Sequence, residues 1–171
     1  AGQYTYLSES DLGNLIAYLK SLPPVDNDLG QTEITLVGRA LIAVGAFGDI
    51  IDAETIDHDT RPNTVTPGAT AAYGEYLVNI SGCRTCHGQN LAGGKDPDPE
   101  APRGPNLTPG GKLASWSEAD FVRTMRSGQT LDGRQLRPEF MPWPQFSQFS
   151  DDELHAVWLF LHNQPAQATV L

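Results

Sequence analysis

The stretch Cys83-Arg84-Thr85-Cys86-His87 (CRTCH) decides how the rest of the chain is interpreted. On a helical turn, two cysteines three residues apart present both thiols along one edge, where they can add to the two vinyl groups of one porphyrin. The histidine that follows then points at the iron. The C-x-x-C-H spacing therefore predicts covalent attachment of one c-type haem through Cys83 and Cys86, with His87 as an iron ligand.

Two other chemistries use closely spaced cysteines. A thioredoxin-like redox pair requires a strand before the motif and a helix after it, within a βαβ unit. Here a helical pattern precedes the motif, and the stretch 86–113, rich in Gly and Pro, follows it. A zinc site needs four ligands, so two cysteines would have to recruit distant histidines or carboxylates. Haem attachment is the better interpretation of the spacing.

Composition excludes several functions. The 171 residues carry a net charge of −10, which argues against nucleic acid because phosphate binding needs a basic face. No apolar run reaches about 18 residues, so we expect no membrane span in this chain. Residues 1–72 hold 10 acidic and 3 basic side chains, whereas residues 73–171 hold 11 and 8. The acidic part is expected to steer basic partners at a rate that falls as salt rises.

Apolar spacing predicts short helices joined by loops. The predicted helices cover residues 8–22, 34–47, 71–80, 117–126 and 150–163. Residues 86–113 and 131–148 are expected to be irregular, since Gly and Pro interrupt them. Because no stretch alternates apolar and polar residues, the predicted fold class is all-α.

The first and last of these helices form an internal repeat at an offset of 142. Each begins after a serine, Ser8 or Ser150, and each is followed by a proline, Pro23 or Pro165. The apolar positions between them also match. Because any amphipathic helix with a Ser cap and a Pro stop would align nearly as well, the match alone leaves common origin and coincidence both open.

Beyond the CRTCH motif, residues 71–164 resemble the class I cytochromes c. The resemblance rests on Gly74 and Leu77 before the motif, on 104–107 (GPNL) after it, on Met141-Pro142, and on an aromatic C-terminal helix. Within that family the chain is most similar to the cytochrome subunits of membrane-bound alcohol and gluconate dehydrogenases, which carry several such domains in tandem. The resemblance implies a class I cytochrome c fold, made of short helices and loops around one covalent haem.

The sixth iron ligand is predicted from the two methionines. Met125 lies inside a predicted helix, where it is expected to pack in the core or against the haem. Met141 lies in extended chain bounded by prolines, and it occupies the position that binds iron in the family. We therefore predict Met141 as the second metal ligand beside His87. The other histidines, His58, His155 and His162, are weaker candidates.

Further contacts with the cofactor follow from the resemblance. It implies that the Pro105 carbonyl accepts a hydrogen bond from the ring of His87. The residues expected to line the haem are Leu107, Phe121, Met125, Leu131 and Phe146. The candidate donors to a haem propionate are Trp116, Arg126 and Arg134. The sequence is equally compatible with a tryptophan packed in the core and with arginines exposed to solvent.

The repeat and the resemblance together predict the domain organisation. Residues 1–25 are expected to be the helical remnant of a preceding cytochrome domain, 26–70 an acidic connector with a short helix, and 71–171 the class I cytochrome c domain. The chain would then be a fragment of a longer multihaem protein. Helix 8–22, without a core of its own, is a candidate surface for assembly.

The predicted function is one-electron transfer through a His/Met-ligated haem, without catalysis by this chain. The resemblance implies redox protein partners, with electrons passing from a dehydrogenase to a quinone or a terminal acceptor. The alternative is a haem enzyme or small-ligand sensor whose sixth iron site is open or displaceable. Because haem is attached to C-x-x-C-H outside the cytoplasm in bacteria, we expect a periplasmic or other extracytoplasmic location.

Overall fold

The computed structural model describes residues 2–46, 56–95 and 100–170. Within these ranges the chain forms helices and loops, with isolated β-bridges at Gly94–Gly104 and Gln129–Gln135 but no strand. This confirms the all-α prediction. No helix in the described ranges is both long and apolar enough to cross a membrane. The chain divides into two compact units, Ala1–Thr64 and Val65–Leu171.

The first unit contains a 3-10 helix (Gly2–Tyr6), helix α1 (Glu9–Ser21) and helix α2 (Leu36–Ala43). The Ser8 side chain caps α1 by accepting from the Asp11 amide at 3.0 Å. Helix α2 is shorter than the predicted 34–47, because Thr35 caps its start and Gly45, with φ of 70°, follows its end. Phe47, the predicted end of α2, lies outside the described residues.

The described part of the second unit contains five α-helices, and the core of the unit lies between the first and the last of the five. They are α3 (Ala71–Ile80), α4 (Cys83–His87), α5 (Glu118–Ser127), α6 (Trp143–Phe146) and α7 (Asp151–His162), with a 3-10 helix at Lys112–Ser115 before α5. Helix α3 has the predicted bounds. Helix α5 begins with a complete capping box between Ser117 and Asp120, and it ends at Gly128 in the left-handed conformation.

Helix α7 buries its apolar side against α3. Leu154, Val157 and Leu161 of α7 are at most 7% exposed, and they share one hydrophobic cluster with Leu77 and Val78 of α3. Phe121 of α5 joins this cluster. Because α3 ends three residues before the CRTCH motif, its packing against α7 fixes the position from which the motif begins.

Helices α1 and α7 have nearly the same local structure, each considered within its own unit. Both N-cap serines have φ of −62° and extended ψ, and both accept a hydrogen bond from the amide three residues on. The exposure of their apolar sides differs. Leu15, Ile16 and Leu19 of α1 are 42–56% exposed, whereas the aligned residues of α7 are buried.

The prediction that 131–148 is irregular was wrong in one place, because α6 occupies Trp143–Phe146. Pro144 lies in the first turn, where its fixed φ suits a helix and its missing N–H is not needed. A helix of four residues is too short for apolar spacing to reveal. Part of the predicted loop 86–113, residues 96–99, lies outside the described residues.

Candidate haem site

The two cysteines lie on their own short helix, α4. Gly82, with φ of 73°, separates α4 from α3, and Gly88, with φ of 81°, ends it. Cys83 and Cys86 are both half-buried. Burial raises the pKa of the Cys83 thiol to about 11, so this sulfur keeps its proton at neutral pH. A thiol S–H is the group that adds across a vinyl double bond to form a thioether.

His87 is buried, and its ring orientation is fixed by a backbone carbonyl. Its Nδ1 lies 2.8 Å from the carbonyl oxygen of Pro105. Since a carbonyl only accepts, Nδ1 donates, and Nε2 is left as the unprotonated nitrogen when the ring is neutral. Burial lowers the pKa of His87, against the opposing effect of the Pro105 hydrogen bond, and so favours that neutral form. A neutral imidazole with a free Nε2 is the form that binds a metal.

The loop that carries Pro105 is held directly against the CRTCH helix. Gly104 exchanges backbone hydrogen bonds with Gly94 at 3.0 and 3.2 Å. A Cβ at position 104 would lie 2.0 Å from the Cys86 carbonyl oxygen. The approach needed to bring the Pro105 carbonyl to His87 is therefore possible only with glycine at 104.

An apolar cavity lies beside Cys83. Two residues predicted to contact the cofactor, Met125 and Phe146, line it together with this cysteine. The remaining lining residues are Leu77, Val78, Ser81, Phe149, Leu154 and Val157. The cavity is small, about 20 Å³, so it offers apolar surface beside one attachment point only. The donor set of two thiols and a neutral imidazole is what fits a covalently attached haem.

The other predicted haem-lining residues lie in several environments. Leu107 and Trp116 pack half-buried against the hydrophobic cluster. Phe121 is buried, and its ring centroid is 5.8 Å from that of Trp158. Leu131, by contrast, is 45% exposed near the tip of a short loop. The structure thus groups Met125 and Phe146 at one cavity and leaves Leu131 on the surface.

Met141 lies on a backbone that is fixed from both sides. Its amide donates to the Arg137 carbonyl at 3.0 Å, and its carbonyl accepts from the Trp143 amide at 2.7 Å. Its side chain is half-buried. Met125 instead lies on α5 and packs against the hydrophobic cluster.

Several polar candidates have protein partners. The Arg126 guanidinium donates to the carbonyls of Ser147 and Phe149 and to Asp151, so it ties α5 to the start of α7. His155 contacts Glu118 and His162 stacks on Trp158 in the second unit, whereas His58 lies in the first unit. Because the Arg126 guanidinium is engaged in this way, Trp116 and Arg134 are the stronger of the three candidate propionate donors.

Asn106 has a structural role that its place in the motif 104–107 does not predict. Asn106 is 5% exposed, and its Oδ1 accepts from the amide and the hydroxyl of Thr108 at 2.8 and 2.7 Å. Its Nδ2 donates to the Gln167 carbonyl at 2.9 Å. The Asn-x-Thr spacing is a signal for the local turn, but no sequence signal connects Asn106 to a residue 61 positions away.

Comparison with known proteins gives one family and several relatives. Residues 71–165 match the sequence model of a family described as Cytochrome c. The cytochrome c subunit of an alcohol dehydrogenase (quinone) from Gluconobacter oxydans is 34% identical over 97 residues. One of the subunits of a nicotinate dehydrogenase from Pseudomonas putida is 34% identical over 101 residues. A protein named diheme cytochrome c-type from Cereibacter sphaeroides is 31% identical over 189 residues.

These matches cover different shares of the chains. The first two span 51% and 53% of this chain but only 20% and 8% of the relatives. The third spans 95% of this chain and 57% of its relative. The chain thus spans less than two thirds of the length of each of these relatives.

Proposed function

The chain belongs to the cytochrome c family, and from this we propose that it carries one covalent haem c and transfers single electrons. Its second unit has the all-α fold of a class I cytochrome c, and the family implies the covalent cofactor. Bound haem supplies an iron that gains and loses one electron. We propose Cys83 and Cys86 as the two residues that attach the haem.

One observation carries the proposal: the hydrogen bond between His87 Nδ1 and the Pro105 carbonyl, at 2.8 Å. It holds the ring in a single tautomer and keeps Nε2 available as a metal ligand. Cys83 and Cys86, on the preceding helical turn, would attach the haem through two thioether bonds. Together with His87 they would hold the cofactor and its iron.

We further propose Met141 as the second iron ligand. Prolines at 138, 142 and 144 limit the freedom of its loop, and its backbone hydrogen bonds are satisfied on both sides. Met125 has a packing role that explains its position without the iron. A His/Met pair raises the reduction potential, because the soft thioether favours ferrous iron. It also leaves no open position for oxygen or peroxide.

The names of the relatives support a pathway. Two are named as subunits of dehydrogenases, one of them a quinone enzyme. We propose that this chain is a non-catalytic subunit that passes electrons between redox proteins, from a dehydrogenase to a quinone or a terminal acceptor. Because C-x-x-C-H motifs are loaded with haem outside the bacterial cytoplasm, the proposed location is extracytoplasmic.

The similar local structures of α1 and α7 support a proposal about the origin of residues 1–25. We propose that residues 1–25 form the closing helix of another cytochrome domain, and that the acidic segment 26–70 connects it to the domain at 71–171. In the second unit α7 is covered by α3, whereas Leu15, Ile16 and Leu19 of α1 are exposed. A helix resembling α3 is therefore the proposed occupant of the α1 face. A native mass equal to one chain with one haem would contradict assembly through α1.

The function is tested on purified protein matured with haem. The colour is expected to stay on the denatured chain at one haem per polypeptide, and Cys83→Ala with Cys86→Ala is expected to abolish covalent attachment. The reduced protein is then mixed with carbon monoxide. Slow or no binding supports the closed His/Met site, whereas rapid stoichiometric binding would support the alternative of a ligand-binding haem protein.

A further inference from the structure

After α7 the chain forms a tail segment, residues 165–170, that has neither helix nor strand and runs back over the loops of the haem site. The Val170 amide donates to the Ala92 carbonyl at 2.9 Å, and the Gln167 amide donates to Thr108 Oγ1 at 3.2 Å. The Gln167 side chain accepts from Asn90 at 2.9 Å. The tail segment is thus tied to two loops, one before and one after residues 96–99. The family match ends at residue 165, so the resemblance does not account for these contacts.

The tail segment also makes a close backbone contact. A Cβ at Gly110 would lie 1.9 Å from the Gln167 carbonyl oxygen and 2.7 Å from its carbon. No side-chain rotation can relieve such an overlap, since both groups belong to the backbone. Glycine at 110 is therefore what allows the tail segment to lie on the loop.

Asn106 joins the tail segment to the loop that holds His87. Its Nδ2 donates to the Gln167 carbonyl at 2.9 Å and to Thr169 Oγ1 at 3.2 Å. Its Oδ1 accepts both hydrogen bonds from Thr108. Every hydrogen-bonding atom of this buried amide is therefore engaged, half with the tail segment and half with its own loop. The preceding residue, Pro105, carries the carbonyl that accepts from His87.

We propose that the tail segment is a positioning strap for the proximal histidine: by holding Asn106, it fixes the Pro105 carbonyl against His87 Nδ1. A hydrogen bond from the ring to that carbonyl makes Nε2 a stronger electron donor, which favours ferric iron. Displacing the strap weakens this hydrogen bond and so raises the reduction potential. The inference rests on the proposed function, because it takes His87 as the iron ligand.

The test uses Gly110→Ala in the full haem-loaded chain, a change that displaces the strap without altering Asn106 or Pro105. The reduction potential is expected to rise, and the Leu107 and Thr108 amides are expected to exchange hydrogen about fivefold faster or more, the effect of one lost hydrogen bond. Gly68→Ala is the matched control, because a Cβ there meets nothing within 4 Å. If Gly110→Ala lowered only the global stability, the reduction potential of the folded protein would stay unchanged, so the potential distinguishes a positioning role from a merely structural one.

Two further variants keep the test decisive if Gly110→Ala does not fold. Thr169 is exposed, and Thr169→Val removes its hydrogen bond with Asn106. We expect this variant to raise the reduction potential by less than Gly110→Ala does. Gln167→Ala removes only the bond to Asn90 and keeps the backbone contacts, so a smaller effect than that of Thr169→Val is expected.

The outcomes separate this inference from the proposed function. Wild-type protein without covalent haem would overturn the proposed function. Wild-type protein with covalent haem, together with unchanged potential and exchange in Gly110→Ala, or in Thr169→Val if the first variant does not fold, would overturn the strap alone. A raised potential with faster exchange at Leu107 and Thr108, absent from Gly68→Ala, would support it.

Discussion

Gly74 of α3 lies directly against the backbone of Ala156 of α7. A Cβ at position 74 would be 1.9 Å from the Ala156 carbonyl oxygen and 2.9 Å from the Val157 amide nitrogen. The two helices can therefore approach this closely only because position 74 has no side chain. The shared hydrophobic cluster of α3 and α7 therefore forms at this distance only with glycine at position 74.

Gly74→Ala is expected to lower the free energy of unfolding by about 2–3 kcal/mol, the upper range for inserting an atom into a packed core. The reason is that α3 must move away from α7 and open the hydrophobic cluster. Denaturant unfolding followed by tryptophan fluorescence measures the change, since Trp116, Trp143 and Trp158 all lie in the second unit. Gly13→Ala, whose added Cβ meets nothing within 4 Å on α1, is expected to cause no loss. Equal stability of Gly74→Ala and wild type would contradict the close contact.

Met141→Leu is expected to abolish the weak red absorption band of Met-ligated ferric haem and to lower the reduction potential. Leucine keeps much of the volume of methionine but has no thioether to bind iron. Met125→Leu is the matched control and is expected to keep both properties, because Met125 acts through packing. Visible spectroscopy and redox titration measure both variants. Loss of the band in Met125→Leu, with the band retained in Met141→Leu, would reverse the ligand assignment.

Asp120→Asn is expected to lower the thermal midpoint at neutral pH. Hydrogen bonds from the Ser117 hydroxyl and amide, with the nearby Arg123, hold the pKa of Asp120 below its ordinary 3.8. This stabilisation is present above the unfolded-state pKa and is lost as the pH falls through the lower folded-state pKa. The difference between variant and wild type should therefore shrink as the pH falls below 3.8. Asp152→Asn makes a similar charge change at the start of α7 and controls for charge alone. If the thermal midpoints of Asp120→Asn and wild type still differ in acid, the ionised Asp120 carboxylate is not the source of the stabilisation.

Arg126→Met is expected to lower the free energy of unfolding by about 2–3 kcal/mol, since it leaves the carbonyls of Ser147 and Phe149 without a charged donor. Arg123→Met is the comparison on the same helix. It removes an exposed pair with Asp120, which is expected to contribute at most about 0.5 kcal/mol. Urea unfolding measures both variants. Losses of equal size would indicate that Arg126 acts only through its charge.

The helices whose boundary signals are local lie where the sequence predicts them. Helix α3 has the predicted bounds, and α5 and α7 begin one residue after the predicted serine caps. The predicted bounds are wrong where the signal is short or masked by an apolar run. Helix α6 is a single turn that starts among prolines, and the end of α2 is set by Gly45 rather than by the apolar run that continues past it.

Covalent haem attachment is predicted from local sequence, because C-x-x-C-H places two thiols and an imidazole within one helical turn. The groups from distant parts of the chain that contact this turn are visible only in the folded protein. The Pro105 carbonyl is 18 positions from His87, and the tail segment is 61 positions from Asn106. Hydrogen bonds and close packing act over a few ångströms in space, whatever the separation along the chain. Residues this far apart meet only after the helices have packed and the loops have closed.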